Sequence, residues 1–202
     1  MHPGSGNPDV DRFDQWAPSY ERSLAQRWYF DPIHDRMLDV LAQASQVRPS
    51  SILDIGCGTG RLLRDAGRRW PTAHLAGVDP APKMIEEARR QGSRMDFHVG
   101  FAERLPYPDA TMDSVLASLT FHHWAEQRRA LDEVARVLKP GGWLCLADHA
   151  VWSFHRGQQV RSRRELETML QRAGLELHRA IHMPFRFVLI LLARRPPVPE
   201  MR

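Results

Sequence analysis

Cysteine is nearly absent. The 202 residues include Cys57 and Cys145 and no CxxC pair, which speaks against a disulfide framework and leads us to expect reduced thiols. No secretory leader opens the chain, and the expected compartment is cytoplasmic. Long apolar runs are missing as well. The longest candidate, Phe187 to Ala193, is strand-sized, whereas a bilayer span needs roughly 18 apolar residues. A concentrated basic segment is also lacking: the net charge is +4, but the positive residues are almost all arginine and are scattered. Arg161, Arg163 and Arg164, the densest cluster, read as a solvated helix N-terminus, so nucleic acid is not the expected partner. No internal repeat is evident. A hydrophobic content of 43% and this length fit one α/β unit with a sizeable core.

What is present begins with Ile52-Leu53-Asp54-Ile55-Gly56-Cys57-Gly58-Thr59-Gly60, a buried-strand pattern running into a glycine-dense turn and then a helix from Arg61. Glycine at Gly56, Gly58 and Gly60 lets the backbone approach a ligand where a Cβ would collide, and the following helix turns unpaired N–H groups toward the same point. The unit is a nucleotide cradle. A dinucleotide fingerprint would need its third glycine at position 61, which is Arg61, and no Lys-Ser or Lys-Thr pair follows as a P-loop requires. The run His74 to Asp79 reads as a second strand ending in a carboxylate, from which an acid can grip both hydroxyls of a ribose.

Periodicity predicts strands near 51–56, 74–79, 96–100, 113–119 and 143–148, helices over 60–70, 81–91, 126–138 and 161–173, and two final strands near 175–181 and 186–193. Asp31-Pro32 reads as an N-cap with proline at the first helical position, followed by Ile33, Met37 and Leu41 on one face. The fold class expected is α/β, a doubly wound, seven-stranded, mostly parallel Rossmann-like sheet with the last strand antiparallel. Its parts would be a disordered lead (1–10), a helical lid (11–50), the binding domain (51–195) and a disordered tail (196–202).

Four segments in order resemble the class I S-adenosylmethionine-dependent methyltransferases, in the small-molecule branch of the ubiquinone/menaquinone type. They are Leu53 to Gly60; Gly77-Val78-Asp79-Pro80 with Met84; Ala102-Glu103-Arg104-Leu105-Pro106-Tyr107; and Leu138-Lys139-Pro140-Gly141-Gly142. The resemblance covers about residues 10 to 195. It implies S-adenosylmethionine as cofactor, S-adenosylhomocysteine as product and a small-molecule methyl acceptor. The turn of Gly56, Cys57, Gly58 and Gly60 would pass along the methionine part, with Asp54 orienting its ammonium. Asp79 and Pro80 would meet the ribose, Met84 and Phe101-Ala102 would frame the adenine, and Ser118 and Leu119 would offer carbonyls to the amino group. An aromatic N-terminal lead like Phe13 to Glu21 forms a lid in similar enzymes, with Tyr20 near the cofactor carboxylate and Trp16, Trp28 and Tyr29 walling the acceptor pocket. Phe101 departs from the pattern. Many relatives carry an acid there that accepts from the adenine amine, and phenylalanine can only stack or pack.

Methyl transfer from a sulfonium is an in-line displacement, so the protein chiefly supplies alignment and a dry pocket. A phenol or amine acceptor gains from a base near neutrality, for which His123 stands first, His122 second and His149 third. No metal is expected, because the acid-rich Asp-Asn constellation of magnesium-using relatives is absent. Asn-Pro-Pro-Tyr, a glutamate pair and Pro-Cys are likewise missing after the fourth strand, against methylation of base amines, protein arginine and cytosine C5. The short stretch Ala150 to Val160 implies an open site or one borrowing a wall from a second copy in a homodimer. Two other readings remain: a non-catalytic S-adenosylmethionine-binding module, and an RNA or macromolecule methyltransferase, which lacks a recognition motif.

Overall fold

In a computed structural model that describes residues 8–20, 24–44, 48–92, 94–149, 161–183 and 187–198, two helices come first, α1 (Pro8–Tyr20) and α2 (Leu24–Ala44). Strands and helices then alternate as β1 (Ser51–Ile55), α3 (Arg61–Arg69), β2 (His74–Asp79), α4 (Pro82–Gln91), β3 (Asp96–Val99), β4 (Met112–Ser118), α5 (Gln127–Val137), β5 (Leu138–His149) and α6 (Arg163–Arg172). Two further strands, β6 (Glu176–Met183) and β7 (Val188–Arg194), close the chain. The sheet order is β3-β2-β1-β4-β5-β7-β6. β7 pairs antiparallel with both neighbours and the other pairings are parallel, so the expected doubly wound sheet with its last strand reversed is what forms.

Period-two alternation sorts the strand residues into two cores. Leu53, Ile55, Val115, Leu144 and Leu146 face α5 and α6. Ile52, Leu75, Leu116 and Cys145 face α2, α3 and α4. Burial on both faces explains why β1 is buried along its whole length. The chain reverses direction across the sheet between β1 and β4, and the crevice outside their carboxyl ends is where such sheets bind ligands.

Two predicted boundaries are corrected. α2 begins at Leu24 and carries Pro32 in its interior, so Asp31 is not its N-cap. The buried stripe of Ile33, Met37, Leu38 and Leu41 starts only after the proline, and periodicity therefore marks just the part that meets the sheet. β5 begins at Leu138, not near 143, because Leu138 pairs with Met112 before a register shift. Gly141, at φ 82°, lets the strand bend within Pro140-Gly141-Gly142 rather than stop there. Of the lead expected over 1–10, residues 8–10 are helical and 1–7 lie outside the described residues, as do 150–160 and the tail from 199 onward. Both cysteines are free and buried. Among the described residues no helix is long and apolar enough to cross a membrane.

Candidate functional site

The turn after β1 is closed by its neighbour strand. Gly56 and Cys57 both donate their N–H to the Val78 carbonyl, at 2.7 and 3.1 Å, and Gly60 donates to the Cys57 carbonyl at 2.9 Å. Gly56 sits at φ 70°, and a Cβ there would lie 2.1 Å from Thr120 Oγ1, so the position admits no side chain. Gly58, at φ 53°, has nothing within 4 Å on its Cβ side. Its bare face opens onto the crevice.

Asp79, at the end of β2, ties this turn to the next helix. One carboxylate oxygen accepts from the Gly58 N–H at 2.9 Å and the other from the Ala81 N–H at 2.9 Å, leaving further lone pairs on each. Burial pushes its pKa up to about 6 despite those two hydrogen bonds, and Asp14 adds repulsion. Asp54 lies deeper. Burial and the neighbouring Asp79 hold its carboxyl well above the usual range, and its buried Oδ1 has no hydrogen-bond partner. Asp54 is thus a buried acid with one unpaired oxygen, beside Asp79, whose two oxygens each accept a backbone N–H.

A cavity of about 490 Å³ occupies the crevice. Gly56, Gly58, Asp79, Pro80, Met84, Phe101, Ala102 and Ser118 line one side of the expected set, and His122, His123 and His149 line it too. Asp54, Cys57 and Gly60 do not. A Cβ on Gly77 would meet Cys57 Sγ at 2.8 Å and one on Gly60 would meet Phe97 at 2.8 Å, which shows these two packed against the second strand and the third. The Tyr20 side chain lies outside the described residues. Trp16 and Tyr29 line the cavity as expected, but Trp28 does not and is 73% exposed. Phe101 stands half exposed at the rim, a stacking surface with an open face.

Arg12 of α1, Phe30 of α2 and Thr120, none of them marked by a motif, complete the walls beside Phe13 and Glu103. α4 has no side-chain cap of its own at Ala81, and Asp14 of α1 supplies one by accepting from the Lys83 N–H at 2.9 Å. Val10 and Phe13 pack on Ala81 and Met84. Phe13 also meets the His123 ring edge-on at 5.3 Å. α1 therefore spans the cavity from its α4 wall to its histidine wall.

Leu119, at φ 53°, turns the chain out of β4 into a 3-10 turn, Phe121–His123. Phe121 is fully buried against Trp124 and anchors that turn. His122 beside it is 5% exposed and is held by Asp148 at the end of β5. Its Nδ1 lies 2.6 Å from Asp148 Oδ1, and its backbone N–H donates to Oδ2 at 2.8 Å. The His149 N–H donates to the same carboxylate at 2.7 Å. The rings of His123 and His149 stand 4.1 and 5.1 Å from that of His122. His122, Asp148 and His149 bring one potential ligand atom each within 4.8 Å of one another, and the Asp148 carboxylate accepts these three hydrogen bonds. Of the three expected histidines, His122 is the buried ring held by Asp148, while His123 stands against Phe13.

Residues 53–146 match the family described as a methyltransferase domain. The chain is 35% identical over 111 residues to a demethylmenaquinone methyltransferase of Deinococcus radiodurans, covering 53% of this chain and 46% of that protein. It is 33% identical over 152 residues to a malonyl-[acyl-carrier protein] O-methyltransferase of Herminiimonas arsenicoxydans, covering 73% and 56%. It spans about half the length of these relatives. A solved SAM-dependent methyltransferase from Aquifex aeolicus shares the fold at a TM-score of 0.70 and 20% identity, over 95% of this chain and 99% of that one.

Proposed function

We propose, from the premise that this chain belongs to the class I S-adenosylmethionine-dependent methyltransferases, that it transfers a methyl group from S-adenosylmethionine to O, N or C of a small-molecule acceptor. The cradle supports the donor half of this reading. The bare face of Gly58 leaves room for the methionine chain, and Asp79 offers lone pairs to the ribose diol; Asp54, off the cavity wall, is not placed to touch the ammonium. Met84, Ala102 and the open face of Phe101 line the cavity where the adenine would lie. When bound, the sulfonium supplies an activated methyl group. The protein's share of the work is to align it, and a wall of buried groups lowers competition from water.

The acceptor half lies between the histidines and the aromatic residues of α1 and α2. Phe13, Trp16, Tyr29 and Phe30 give it flat apolar walls that fit an aromatic acceptor. Both helices come from this same chain, and their aromatic residues supply part of the cover over the cavity. The relatives named above act on unlike acceptors by their names, which is why the acceptor here is read from the walls.

Asp79 beside the open Gly58 is the observation that carries the donor assignment. Titration calorimetry with S-adenosylhomocysteine tests it. Asp79→Ala is expected to lose about 1.5–3 kcal/mol of binding, the worth of charge-assisted hydrogen bonds to two hydroxyls. Unchanged affinity in that variant would sink the ribose assignment.

A further inference from the structure

We propose that His122, oriented by Asp148, removes the proton of an aromatic hydroxyl acceptor as its oxygen takes the methyl group. This deepens the methyl-transfer reading above and rests on it. Asp148 grips His122 twice, once at the backbone N–H and once at Nδ1, so neither the turn nor the ring can swing without breaking a buried hydrogen bond. A ring that donates from Nδ1 to the Asp148 carboxylate carries its proton there, and Nε2 is left with the lone pair that a base needs. The Nδ1 edge is turned to Asp148, while His122 lines the cavity; the opposite, Nε2-bearing edge is the part of the ring positioned for an acceptor. The turn is itself pinned, because Gln127 donates to the Phe121 carbonyl at 2.9 Å and Arg161 donates to Gln127 at 2.8 Å.

The surroundings select the acceptor. Asp148 and His149 from β5 and His123 from its own turn lie directly against His122, and the other charged or titratable groups lining the same cavity are Asp79 from β2, Glu103 from the loop after β3, Arg12 from α1 and Tyr29 from α2. The rest of the acceptor half is aromatic. An aromatic ring fits those walls, and its hydroxyl is a poor nucleophile until it gives up its proton, which a base at the histidine wall would take. In the transfer step the O–H proton passes to His122 Nε2 and an oxygen lone pair forms the new C–O bond. The C–S bond breaks with its electron pair left on sulfur, which becomes a neutral thioether. The imidazolium is paired with Asp148 until its proton leaves to water. Asp148 touches no reactant and is a positioning residue.

The test uses the full chain with S-adenosylmethionine and two probe acceptors, 1-naphthol and the more acidic 4-nitro-1-naphthol, following S-adenosylhomocysteine release. Calorimetry with S-adenosylhomocysteine verifies that each variant is folded and binds. His122→Ala and the gentler His122→Gln are expected to lose about 10²–10⁴-fold in turnover of 1-naphthol and far less with the nitro compound, which is ionised before it binds. Asp148→Asn is expected to lose tenfold or more in kcat on 1-naphthol with KM held, and less on the nitro compound. Losses equal for the two acceptors, or a loss under threefold in both His122 variants, would overturn the base assignment. No turnover of either naphthol by a wild-type protein that binds S-adenosylhomocysteine would overturn the acceptor class. Failure of the wild type to bind S-adenosylhomocysteine would instead overturn the methyl-transfer reading beneath it.

Discussion

If Asp79 grips the ribose as proposed, cofactor affinity depends on pH, and the size of the effect follows from the surroundings of its carboxyl. Burial raises its pKa from 3.8 to about 6, so the carboxylate that accepts the ribose hydroxyls is present above that pH and is lost as pH falls through it. If only the ionised form binds, affinity at pH 5 is lower by a factor of about 11 than at pH 7.5, and it declines tenfold per pH step below that. Stability of the unliganded protein runs the other way. The folded state holds a proton on Asp79 that the unfolded chain releases between pH 4 and 6, so raising pH through that window removes up to about 3 kcal/mol of stability, with no further change from this group above it. Calorimetric titration of S-adenosylhomocysteine at pH 5 to 7.5, beside thermal melts of the free protein, reads both trends. Asp79→Asn should bind weakly at every pH and flatten both curves. A variant that kept the wild-type slope would assign the titration to another group, Asp54 being the nearest, and refute the reasoning.

Two contrasts test the walls of the cradle. Gly56→Ala and Gly58→Ala both force a left-handed residue, worth about 1–2 kcal/mol, but only the first drives a Cβ into Thr120. Chemical denaturation should therefore show Gly56→Ala to be the less stable by about 1–3 kcal/mol of overpacking, while Gly58→Ala, with its methyl facing the cavity, should be the folded variant that binds S-adenosylhomocysteine poorly; equal stabilities would contradict the contact. Phe101→Asp should restore an acceptor for the adenine amine and favour S-adenosylhomocysteine over its analogue lacking that amine by roughly 1–2 kcal/mol more than the wild type does. If both ligands weakened equally, Phe101 would be a packing residue.

The cradle could be read in one dimension because everything that makes it is local. A buried run ends in glycines at fixed spacing, and the next strand delivers Asp79 one βα unit later, so β2 falls over His74–Asp79 as expected and the turn takes the positive φ values its glycines permit. The groups that organise the acceptor side are not local. Asp14 caps α4 across 69 positions and Asp148 holds His122 across 26, and no short window contains both members of either pair. Adjacent histidines are therefore alike in sequence. In the fold, the 3-10 turn sends Phe121 into the core and swings His122 against the end of β5, leaving His123 to meet Phe13. A usable signal did exist: an acid ending a buried strand whose neighbour in the sheet leads into a histidine pair. Recognising it requires knowing that β4 and β5 are adjacent, with Ser118 beside Ala147, which comes from the strand order rather than from either segment alone. The same holds for α1, whose one turn of Phe13 and Asp14 touches the histidine wall and the α4 wall together. A change at either residue is thus felt on both sides of the cavity, and that linkage belongs to the packed chain and not to any stretch of it.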